Sequence, residues 1–158
     1  MKTYHCDWTS LRTRLLLVLI GLTTFIVGCA PLGPKYGSAK NEISPLANDK
    51  ARIVFYRRSM FFGDGMRPPI FLDGEQVGTS RPGTIFYVDV APGKHLVKIP
   101  VSVYSGETTL EIEAARNEII YLKSYVTGSA FAGRTGISVM GVAEAIAEID
   151  DLEWVKEP

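Results

Sequence analysis

The chain has 158 residues, of which 46% are hydrophobic, and its 17 Lys and Arg balance 17 Asp and Glu. That length supports one ordinary core and little more. The balanced charge argues against the concentrated basic surface that nucleic-acid binding needs.

Lys2, Arg12 and Arg14 precede an apolar stretch from Leu15 to Val27. As a helix it is about 20 Å long, too short for a bilayer core of roughly 30 Å. A charged start, a short apolar run and a small residue at its end describe a removable secretory signal over residues 1–28, not a transmembrane anchor. Ile26-Val27-Gly28-Cys29 resembles a bacterial lipobox, which implies that Cys29 is the acylated first residue of the mature protein. Several acyl chains, at about 0.8 kcal/mol per buried methylene, hold such a chain on its membrane. Ala30 comes next, and in Gram-negative lipoproteins an aspartate there favours inner-membrane retention. The resemblance therefore implies the periplasmic face of the outer membrane. Removing the leader takes Lys2, Arg12, Arg14 and Asp7, leaving 14 basic against 16 acidic residues and a net charge of −2. Cys6 and His5 leave too, so no disulfide forms within the mature chain and His95 is its one imidazole.

From Ala30 to Asp49 there is no apolar periodicity and there are three prolines. Together with Cys29, residues 29–50 read as a lipidated start and a flexible tether, with a reach near 25 Å if it behaves as a coil. Residues 51–158 read as the folded domain. Ala51 to Tyr56 is a first strand and Pro69 to Leu72 a second, the latter ending in the hairpin signal Asp73-Gly74. Gln76 to Thr79 returns from that turn. Thr84 to Val90 is a further strand, bounded by turns at Ser80–Gly83 and Ala91–Lys94.

His95 to Tyr104 alternates most clearly. Val97, Ile99, Val101 and Val103 share an inward face, whereas Leu96, Lys98, Pro100 and Ser102 point outward. Pro100 cannot donate to a ladder and marks an edge or a bulge. Thr108 to Glu113 and the more apolar Glu118 to Val126 complete about seven strands. Gly128, Gly133, Gly136 and Gly141 read as a loose loop. Val142, Ile146, Ile149 and Leu152 then recur at helical spacing opposite Glu144, Glu148 and Asp151. The expected fold is mainly β, a small antiparallel sandwich with one C-terminal amphipathic helix.

The runs Ile53–Arg57, Ile70–Gly74 with Val77-Gly78, Gly83–Tyr87 and Pro92–His95 occur in order across Ala51 to Val126. They resemble an uncharacterised family of bacterial lipoproteins, a domain of unknown function similar to PEGA-type β-sandwich modules. The resemblance implies a small exported sandwich, and it brings no catalytic residues.

Candidate chemistry is sparse. Gly128–Thr135 approaches the phosphate-cradling spacing, but Arg134 stands where lysine is needed and the preceding strands read as antiparallel, so no nucleotide is expected. His95 lacks a sequence-evident nucleophile and orienting carboxylate and suits a turn-closing role. With one histidine and no free thiol, no metal or other cofactor is expected and no enzyme activity is assigned. Glu144, Glu148, Asp150, Asp151 and Glu153 read as a solvated acidic face. The segment Met60–Pro69 stands out as a binding candidate. Phe61, Phe62, Met66 and Arg67 form an apolar tip which, with Arg57 and Arg58, has a basic collar suited to a protein groove or an anionic headgroup. The alternative is that its rings fold back over the open end of the sandwich. The expected function is a membrane-anchored, non-catalytic interaction or scaffold module with an envelope protein partner; the alternative is a small-ligand or lipid-binding module.

Overall fold

Strand β1, Ala51–Arg57, is buried along its whole length, and the fold is built outward from it. Near-continuous apolar sequence is what a strand covered on both faces requires. The computed structural model describes residues 31–61, 63–100, 106–129 and 132–157. Among these, the strands after β1 are β2 (Pro69–Leu72), β3 (Glu75–Thr79), β4 (Thr84–Val90), β5 (Gly93–Ile99), β6 (Thr108–Ala114), β7 (Ile119–Ser129), β8 (Ala132–Met140) and β9 (Glu153–Trp154). Two helices join them, α1 (Tyr36–Ala39) and α2 (Val142–Ile149).

The strands form two sheets in a sandwich-like arrangement, β8-β7-β1-β4-β9 and β3-β2-β5-β6. Most neighbours are antiparallel, but β1 runs parallel to β7 and β4 parallel to β9. Ile53, Phe55, Phe86, Leu122, Val97 and Ile99 are among the side chains that fill the space between the sheets. Phe55 and Phe86 are directly opposite on β1 and β4, and their rings stack with centroids 5.1 Å apart. Alternate residues of the five-stranded sheet, including Val54, Tyr56, Ile85 and Tyr121, face the other way and pack under Ala145, Ile149 and Leu152. A third, helical layer thus covers the outer face of this sheet.

Val97 and Ile99 are fully buried and Leu96 is exposed, as the alternation requires. Val101 and Val103 lie outside the described residues. Asp73 and Gly74 both have positive φ, 53° and 91°, in the two-residue turn between β2 and β3. That is the geometry for which an Asp-Gly pair is suited.

Three expectations need correction. The glycine-rich stretch after Val126 is not a loose loop, because β7 and β8 pair antiparallel from Tyr121↔Met140 to Ser129↔Ala132. Gly136 lies beneath the ring of Tyr125, where an added Cβ would sit 2.5 Å from ring carbons. Glycine there marks close approach of a neighbour, not a break in the strand.

The second correction concerns the tether. The amides of Tyr36 and Gly37 donate to the carbonyls of Leu152 and Asp150, and Trp154 N donates to the Pro34 carbonyl at 2.8 Å. Ala39 is buried. Residues 32–40 therefore belong to the folded unit, held by backbone pairing that leaves no apolar periodicity to read.

The third concerns the C-terminal helix. Its inward residues are Ala145 and Ile149, whereas Val142 and Ile146 are 56% and 47% exposed.

Candidate functional site

Arg57 has the same parity on β1 as Ile53 and Phe55, so its side chain enters the space between the sheets instead of joining an outer collar. Only 4% of the residue is exposed. Its guanidinium donates to the carbonyls of Gly63 at 2.6 Å, Met66 at 2.7 Å and Ser80 at 3.1 Å. Burial pushes its pKa down, opposed by the field of Asp64. One buried cation thereby ties the β1–β2 loop, residues 58–68, to the β3–β4 turn. Inside the loop, Met66 N donates to Gly63 O at 2.9 Å and Met60 N to the Asp64 carboxylate at 3.1 Å.

The loop presents Phe61, 93% exposed, beside Met60 at 51%. Phe62 lies outside the described residues. Met66 is half-buried and turned toward β8, where a Cβ on Gly133 would lie 3.1 Å from its Sδ. Arg67 is exposed, and Arg58 contacts Glu148 at 3.3 Å. The basic collar expected from sequence is thus largely dismantled: Arg57 is internal and Arg58 is paired.

Glu148 on α2 is not on a solvated face. It accepts from Lys123 at 2.7 Å and from the Tyr56 hydroxyl at 3.0 Å, besides Arg58, and its side chain is 15% exposed. Burial opposes its ionisation, but these donors outweigh it and hold the carboxyl below its usual range. Burial and the adjacent carboxylate push the Tyr56 hydroxyl well above its ordinary value. The group is an ionised carboxylate with three donors, suited to fastening α2 to the sheet. Beside it an open cleft of about 420 Å³ is lined by Lys35, Arg58, Ser59, Gly83, Glu148 and Glu153, among others.

At the opposite end of the sandwich, His95 joins two turns. Its Nδ1 lies 2.6 Å from Asp73 Oδ2 and its Nε2 lies 2.8 Å from the Ala91 carbonyl, while Asp73 Oδ1 accepts from Leu96 N at 2.9 Å. Two acceptors suit an imidazolium, in which both ring nitrogens donate. Burial works against that charge, yet the hydrogen bonds prevail and raise the pKa above 6.5. Asp73 is lowered from 3.8, chiefly by the bond to His95.

A group with a raised folded-state pKa adds stability that is complete below its unfolded value and fades as pH rises through the folded value. For the depressed Asp73 the contribution instead fades as pH falls. The stability difference between the native protein and His95→Gln should therefore be largest between about pH 4 and pH 6.5 and shrink above it. Thermal denaturation across pH 4 to 9 measures it, and a difference independent of pH would exclude the charged pair.

Near this end, Ile112, Ile119, Ile120, Val139, Met140 and Val142 contribute to an apolar recess of about 270 Å³. Ile119 is 41% and Val139 54% exposed, and Ile146 continues the surface one turn along α2 from Val142. Sequence reasoning missed this surface because Val142 and Ile146 fit the helical period of buried residues. Among the described residues, no group of three His, Cys, Asp or Glu is placed to hold a metal ion, and no helix is long and apolar enough to cross a membrane.

The family described as a protein of unknown function, DUF2846, matches residues 47–137, and the chain belongs to that family. An uncharacterized protein of Haemophilus influenzae is 20% identical over 138 residues, covering 85% of this chain and 80% of its own length. No solved structure matches.

Proposed function

We propose that this member of the DUF2846 family is an exported lipoprotein of the bacterial envelope, held by acyl chains on Cys29 at the periplasmic face of the outer membrane. The folded unit acts as a non-catalytic interaction or scaffold module for another envelope protein. The leader over residues 1–28 and the lipobox-like Ile26–Cys29 support the anchor. The observation that carries the interaction reading is the apolar surface of Val142 and Ile146 beside Ile119 and Val139. Intramolecular packing leaves these four exposed, although the helix bearing two of them is otherwise docked on the sheet. Adjoining exposed apolar side chains of this kind mark contact surfaces.

A small-ligand or lipid-binding module would be favoured by a closed apolar cavity between sheet and helix. Among the described residues, Tyr56, Ile85, Tyr121, Ala145, Ile149 and Leu152 pack together there.

Crosslinking in intact envelopes followed by copurification is the test. A defined partner should be recovered with the native protein and lost when Val142 and Ile146 are both changed to Ser. Melting temperature should change little, because truncating an exposed interface residue costs binding more than folding. Recovery of the same partner with the double variant would reject this surface.

A further inference from the structure

We propose that the loop end of the sandwich, with Met60 and Phe61 at its tip, rests on the bilayer that holds the Cys29 lipid, and that Phe61 enters the membrane interface. The proposal rests on the lipid anchor of the preceding section, and it assigns the loop to lipid while leaving the Val142–Ile146 surface to a protein.

The free tether is shorter than its composition suggests. Leu32 N is held by the Glu153 carboxylate at 2.9 Å. Glu153 N in turn donates to Gly83 O at 2.8 Å, and Gly83 N to Arg57 O at 2.9 Å. Three successive hydrogen bonds thus connect the start of the folded unit to Arg57, the residue from which the loop departs. Only three peptide steps separate Cys29 from Leu32, a span of at most about 11 Å. An acylated Cys29 consequently holds the bilayer close to this end. The opposite end, with the Asp73-Gly74 turn, lies a strand length further away.

Leu32, Met60 and Phe61 are all exposed here. An aromatic ring on a fixed loop is suited to the membrane interface, and a lipid-linked chain needs little extra affinity because its second contact is intramolecular. Charge plays a minor part. Lys35, Arg58, Arg67, Arg81 and Lys123 at this end are balanced to within one charge by Asp64, Glu148, Asp151 and Glu153, so the contact should depend little on anionic lipid.

The test uses the processed protein, extracted from its membrane and reconstituted in phosphatidylethanolamine–phosphatidylglycerol vesicles. Met60→Cys carries an environment-sensitive fluorophore, and Glu75→Cys, at the far end, carries the same probe as control. Mass spectrometry of each preparation reads the modification of Cys29. With diacylglyceryl on Cys29, the probe at 60 should emit at shorter wavelength and be quenched by brominated phospholipid several-fold more than the probe at 75. Pure phosphatidylcholine vesicles should give the same result, and adding Phe61→Ser should remove most of the difference. Water-like emission at both positions with Cys29 acylated would overturn the loop contact and leave the anchor standing. An unmodified Cys29 would overturn both. Shielding of position 60 in native envelopes but not in lipid vesicles would overturn it in favour of a protein contact.

Discussion

Ile99→Asp should unfold the domain or reduce its stability by about 3 to 5 kcal/mol, because it places a carboxylate with no partner between the sheets. Ile99 is fully buried in the same cluster as Ile53, Phe55 and Val97. The adjacent Lys98→Asp is the control. Lys98 pairs with Glu107 at 2.7 Å on the outer face, with side chains 42% and 43% exposed. Losing such a pair costs about 0 to 1 kcal/mol, and the like charge that replaces it adds little in water. Urea unfolding of both variants measures the contrast. Equal destabilisation would show that the inward face of β5 is wrongly assigned.

The contrast tests what was most legible in the sequence. Period-two alternation identified the inner face of β5 because one side of that strand meets the core and the other meets water. β2 and β4 were bounded correctly by turn residues such as Asp73-Gly74 and Pro82-Gly83, whose backbone requirements are local. Pairing between distant strands has no comparable signature, so the parallel contact of β1 with β7 emerged only in three dimensions. Nor did composition reveal β8, since Gly136 looks like a breaker until Tyr125 is seen lying on it.

The candidate site was legible in part. The loop and its turn residues can be read, but the exposure of Phe61 cannot, because an apolar tip and rings folded back over the sandwich fit the same sequence; Arg57 is misassigned to the collar although its signal is present. Arg57 continues the parity of Ile53 and Phe55, and that parity directs it inward. An arginine after an apolar strand is ordinarily taken as an outward end, and only the converging carbonyls show what repays its burial. On α2 and just past its end, Ala145, Ile149 and Leu152 define a buried stripe as regular as the one through Val142 and Ile146. Alanine carries too little apolar weight to reveal which stripe faces the sheet.

Arg57→Met should cost about 3 kcal/mol, since it keeps much of the aliphatic packing but leaves the carbonyls of Gly63, Met66 and Ser80 without their buried donor. Water can reach some of these groups once the loop loosens, so the damage should be concentrated in residues 58–68. Arg57→Lys should recover little. A single ammonium has three donors, but it lacks the planar fork that reaches Gly63, Met66 and Ser80 from one buried position. Hydrogen exchange should show faster exchange at the Met66 amide in both variants, with protection retained in the centre of β1. Unchanged exchange in the loop together with a stability loss below about 0.5 kcal/mol would mean that the three bonds contribute only what solvent would replace. If the loop does loosen, Phe61 remains in the chain but loses its fixed presentation, and membrane quenching of a probe at position 60 should fall as well. That joint response follows from the clamp: the cation closing the sandwich core also holds the loop that carries the ring proposed to meet the bilayer.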